Sequence, residues 1–129
     1  MRNLILLALG LVVGAAGGAS ALNALRQRDA YPRGLMDVMQ YHYGALRKAV
    51  RSNRCGDATP HIAALHFLHR DIESAMYPAG SAEAPFVEYD RRLGEALEAA
   101  STAGTECRAL APAVERVTAA CDACHRQYR

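Results

Sequence analysis

Apolar residues recur along most of the chain at intervals of three and four, the spacing of a helix face and not of a strand. Leu35, Met36, Met39, Tyr43, Leu46 and Val50 form one such stripe. They predict a first helix over about 32–52, with Pro32 suited to its opening turn. Ser52-Asn53-Arg54-Cys55-Gly56-Asp57 reads as a turn. Thr59-Pro60, a capping residue followed by proline at the first helical position, opens a second helix. Its stripe is Ile62, Leu65, Leu68, Ile72 and Met76, and Pro78-Ala79-Gly80 ends it. A third helix starts near Pro85, carries Phe86, Tyr89, Leu93, Leu97 and Ala100, and stops at Gly104. The fourth shows Leu110, Val114, Val117, Cys121 and Cys124. Pro112 demands either a start near Arg108 or a kink, and a start near Arg108 is the expectation. Four amphipathic helices with short connections predict an all-α fold, an antiparallel up-down-up-down four-helix bundle.

Upstream of residue 31 the pattern changes. Leu4 to Val13 is apolar apart from Gly10, follows Arg2, and leads through small residues to Ala19-Ser20-Ala21. That is the pattern of a signal peptide over 1–21. No charge falls between Arg2 and Arg26, so Leu4–Leu22 left uncleaved would be a membrane anchor extending to about residue 25. The short apolar run and the glycines at 10, 14, 17 and 18 favour cleavage. Either way the domain expected over 31–129 works outside the cytoplasm, in the periplasm, and it meets a membrane only if residues 4–22 remain as an anchor.

Charge changes this picture little. The 15 basic and 13 acidic residues nearly balance, and no clustered basic face suggests nucleic acid. Core composition says more. Trp is absent and Phe occurs twice, so about a hundred mature residues build their core from Leu, Ala, Val and Met. Such a core is thin, and a large bound cofactor would help to fill it.

Cys121-Asp122-Ala123-Cys124-His125 is CxxCH, the haem-attachment pattern. Two thiols three residues apart share a helix face and reach both vinyl groups of one porphyrin, while His125 supplies an axial imidazole to the iron. Other chemistries fit less well. A thioredoxin-like pair sits at a helix N-terminus after a strand, where the dipole lowers the thiol pKa. This pair closes a helix in a chain without strands. A zinc site would need Cys55 and Cys107 as further ligands. Fourteen residues of helix put Cys107 about 21 Å from Cys121.

Few residues follow His125, so a sixth iron ligand must come from upstream. In the expected bundle the haem end collects the end of the fourth helix, the start of the first, the end of the second and the start of the third. His61 lies at the far end of the second helix, and His66 and His69 too deep along it. Met36, Met39 and Met76 remain as candidates.

A C-terminal CxxCH on the last helix of a four-helix bundle resembles the class II cytochromes c, the cytochrome c prime family. The resemblance covers roughly residues 31–129. Tyr31 to Gly44, the run Tyr-Pro-Arg-Gly-Leu-Met-Asp-Val-Met-Gln-Tyr-His-Tyr-Gly, is similar to the family's first helix, although a basic residue often stands there where this chain has Pro32. The resemblance implies that Met36 occupies the distal position and ligates the iron, with Met39 one turn deeper. In the family a methionine there accompanies six-coordinate, low-spin iron suited to electron transfer. Leu, Phe or Val there accompanies five-coordinate iron that binds NO or CO. It also implies no ligating role for His42, a basic residue near the proximal histidine at Arg129, and a candidate propionate contact at Arg33.

Cys55 and Cys107 lie in the first and third interhelical connections, which share one end of the expected bundle. In an oxidising compartment they are expected to form a disulfide. The function expected from all this is a non-enzymatic c-type cytochrome with one covalent haem c, carrying single electrons between redox partner proteins. The alternative is a five-coordinate haem protein binding NO or CO. A homodimer is compatible with either.

Overall fold

The structure is a computed structural model that describes residues 2–78 and 80–128, with residues 2–8 and 24–29 described by their backbone alone. Its elements are α1 (Arg2–Arg51), a 3-10 turn (Cys55–Ala58), α2 (Thr59–His69), α3 (Ile72–Met76), α4 (Ala84–Ala103) and α5 (Cys107–Gln127). No strand occurs among the described residues. By its contacts the chain divides into two units, Met1–Arg33 and Gly34–Arg129.

Three expectations need correction. The first helix does not begin at Pro32, which lies inside α1. The preceding residues, Ala21-Leu22-Asn23-Ala24-Leu25-Arg26-Gln27-Arg28, are rich in strong helix formers and contain no glycine. Helix therefore runs into the proline, which removes one N–H from the helical ladder. The second predicted helix is two. It breaks at Arg70-Asp71, where the Asp71 amide bonds the Leu68 carbonyl three residues back at 3.1 Å. Aspartate favours helix starts over interiors, and Asp71 becomes the N-cap position of α3. The third correction concerns Thr59, which is not the cap of α2 but its first residue, after Ala58.

The turns follow from local chemistry. Asn53 adopts φ 54° just past α1, a left-handed conformation that asparagine tolerates better than most residues. Arg54 N then bonds Ala49 O at 2.9 Å, and Asn53 N bonds Val50 O at 3.0 Å, a Schellman closure. Gly104, at φ 60°, ends α4 as its sequence position predicted. α5 starts at Cys107, next to the expected Arg108, with Pro112 inside it beyond the first turn.

In the second unit α4 packs along α5, α2 packs on α4, and α3 touches α4. α1 meets them where Tyr43 Oη donates to Thr118 Oγ1 of α5 at 2.7 Å and where His42 meets His61 of α2, and its Leu35, Met39, Leu46 and Ala49 belong to the buried core. Leu46, Leu97, Leu110 and Val117 are the largest fully buried side chains. Each contributes about 1.5–3 kcal/mol relative to exposure. In the first unit residues 9–23 are exposed, Leu11, Val12 and Val13 among them. No helix is long and apolar enough to cross a membrane among the described residues, a set that leaves out the side chains of residues 4–8 in the apolar run.

The structure joins Cys55 to Cys107, with Cα atoms 5.4 Å apart and a sequence separation of 52. A loop of that size gives about 4 kcal/mol by the chain-entropy estimate. The double variant Cys55→Ala/Cys107→Ala should lose stability on that scale in urea unfolding. Mass spectrometry of unreduced wild-type protein should find the two peptides linked. An unchanged unfolding midpoint, or free alkylatable thiols at both positions, contradicts this expectation.

Candidate haem-binding site

The core stripe of α5 runs straight into the CxxCH motif. Leu110, Val114 and Val117 are buried, and Cys121 and Cys124 continue the same spacing as half-buried free thiols. Asp122 and His125 are exposed. The helix ends two residues after His125, with Tyr128 N bonding Cys124 O at 2.9 Å. His125 and Arg126 in the last turn suit the negative end of the helix dipole.

Burial pushes the Cys121 thiol up to about 11, helped by Asp122 and Cys124. Burial also raises the Cys124 thiol, with Asp90 of α4 adding its charge. Both sulfurs are therefore held as thiols. This is opposite to a thioredoxin-like pair, whose nucleophilic cysteine is kept as thiolate. The zinc alternative loses two of its four ligands, because Cys55 and Cys107 are bonded to each other. Among the described residues no group of three or more His, Cys, Asp or Glu is placed to hold a metal ion.

Around the motif the helices contribute an apolar rim. Tyr77, just past α3, packs edge-on to Phe86 of α4, with ring centroids 4.9 Å apart. Phe86 in turn meets Tyr128 at 5.3 Å, and Tyr89 meets Tyr128 at 6.1 Å. The end of α5, the start of α4 and the end of α3 thus come together. Burial continues in this direction, with Phe86 3 % exposed near the start of α4 and Leu35 5 % exposed on α1. Met36, Met76, Tyr77, Cys121 and Tyr128 all lie half-covered on the core. Two thiols one turn apart beside a half-covered apolar rim fit a flat apolar group attached through sulfur, so the donor set suits haem c.

The remaining candidates are distributed as follows. Met36 is half-buried on α1 and Met39 is buried a turn deeper. Arg33 is exposed and falls in the first unit. Arg129 lies outside the described residues. His66 and His69 turn toward α4. His66 Nε2 is 3.6 Å from Glu98 Oε2. His69 Nε2 is 2.9 Å from the Asp90 carbonyl, at which its N–H is directed, and 3.1 Å from Asp90 Oδ1. The Asp90 side chain is the main cause of a His69 pKa above its ordinary value, against burial, which lowers it. Gly94 makes room for this pair, since a Cβ there would lie 2.9 Å from His69 Cε1.

Sequence reasoning missed both the His69–Asp90 pair and the contact of His42 with His61. The first had a signal: His66 and His69, three apart, share one side of α2. The second had none, because it joins two helices. Comparison with protein-family models, with curated proteins and with solved structures finds no match to this chain.

Proposed function

We propose that the chain is a periplasmic class II-like c-type cytochrome, an antiparallel up-down-up-down four-helix bundle carrying single electrons through one covalent haem c. The observation that carries this reading is the CxxCH motif on the last turns of α5, with two free, half-buried thiols beside an apolar rim. When bound, the haem supplies a one-electron couple at its iron. The residues of the chain do the rest. Cys121 and Cys124 would hold the group through their sulfurs, His125 would hold its iron through the imidazole, and the rim would exclude water.

Two contacts support Met36 as a second residue that would hold the iron. The Cys55–Cys107 bond lies beyond the end of α1 and at the start of α5, while Tyr43 and Thr118 meet further along both helices. In the proposed bundle the two helices run away from the bond in opposite chain directions. Seven residues beyond Tyr43 is Met36, and seven beyond Thr118 is His125. Each step is two helical turns, about 10.5 Å, so both residues return to the faces that carry Tyr43 and Thr118. The same count puts Met39 level with Asp122, short of the histidine.

A visible spectrum of protein exported in a host that matures c-type cytochromes tests the proposal. Covalent haem with sharp α and β bands on reduction is expected. Absence of covalent haem defeats the cytochrome reading. A broad high-spin spectrum with rapid CO uptake replaces electron transfer by gas binding.

A further inference from the structure

His42 and His61 come from different helices, α1 and α2, and meet through like atoms. Their Nδ1 atoms are 3.0 Å apart, with ring centroids 5.2 Å apart and planes tilted by 49°. Both are half-buried and so reachable from water. Tyr41, 68 % exposed, stands edge-on to both, its ring 5.1 Å from His42 and 6.3 Å from His61. Without an ion, one Nδ1 donates its proton to the other's lone pair. The cytochrome reading gives this pair no task.

The separation of the two nitrogens is informative. Two imidazole nitrogens each bound at about 2.0–2.1 Å and lying 3.0 Å apart subtend about 94° at the ion. That is the angle between neighbouring ligands of a tetragonal site, well short of the tetrahedral angle zinc prefers. Tetragonal nitrogen sites suit Cu2+, which also binds most tightly of the divalent first-row ions.

We propose that His42 and His61 form a two-histidine site for Cu2+ that bridges α1 and α2, with water completing the coordination. On loading, the donor ring moves its proton from Nδ1 to Nε2, and both rings turn until their Nδ1 lone pairs converge on the ion. No electron is transferred, and the site is independent of the haem assignment.

The test is calorimetric titration of the air-oxidised full-length protein with Cu2+, joined to electron paramagnetic resonance of the loaded protein. One equivalent should bind, giving a tetragonal signal coupled to two nitrogens. His42→Asn and His61→Asn should each weaken that equivalent by more than the roughly 10–100-fold that loss of a mere supporting residue costs a metal site. His66→Asn should leave it intact. Circular dichroism confirms folding, and His42→Gln and His61→Gln replace any asparagine variant that fails to fold. Undiminished uptake in the His42 and His61 variants, loss only in His66→Asn, or no uptake by wild type overturns the proposal.

Discussion

Replacing both Cys121 and Cys124 with alanine should yield a protein from which denaturing solvent extracts all haem, whereas wild type retains its full complement through the same treatment. Each single variant should keep one thioether and hold haem less securely. The expectation rests on chemistry available nowhere else in the chain. Cys55 and Cys107 are consumed by their own bond, so no other sulfur can substitute. The same double variant tests how far the cofactor completes the core. Met76, Tyr77 and Tyr128 are half-covered by protein, and a haem laid on their remaining apolar area would add about 25 cal/mol per Å². Loss of helical circular dichroism should therefore accompany loss of haem. Haem retained covalently in the double variant would refute the attachment site. A haem-free variant with full helicity would mean that the protein core suffices alone.

Met36→Leu should convert the iron from six-coordinate, low-spin to five-coordinate, high-spin. The change is expected to be complete, because leucine fills the same volume without a sulfur lone pair. Its readouts are disappearance of the methionine–iron absorption at the red end of the oxidised spectrum and rapid CO binding by the reduced protein. The reduction potential should fall, since an axial methionine favours the reduced iron. Met39→Leu and Met76→Leu serve as controls and should leave the spectrum unchanged. Conversion by either control in place of Met36→Leu would reassign the ligand and leave the attachment site standing.

The sequence carried the helices of the second unit because their stripes are regular, and Leu46, Leu97, Leu110 and Val117 lie where the 3.6-residue period puts them. It carried CxxCH for a different reason, since that motif is local in the chain. What it missed depended on competition between neighbouring segments. Pro32 reads as a helix start in isolation, but the helix formers upstream extend α1 through it. The break at Arg70-Asp71 lies inside an unbroken stripe, because Leu68 and Ile72 keep their spacing while the backbone tightens between them. The pairs His42–His61 and His69–Asp90 join residues 19 and 21 positions apart on different helices, beyond the reach of any periodicity.

The bond between Cys55 and Cys107 closes a ring around α2, α3 and α4 and leaves α1 and α5 emerging from it as two arms. In the proposed arrangement those arms work like tongs, with the disulfide as pivot and Met36 and His125 as jaws. Their lengths match: Met36 stands 19 residues from one half of the pivot, and His125 stands 18 from the other. Partway along, the Tyr43–Thr118 hydrogen bond and the shared core hold the arms together. Reducing agents acting at the sulfur end would then leave that hydrogen bond and the core as the ties between the two arms.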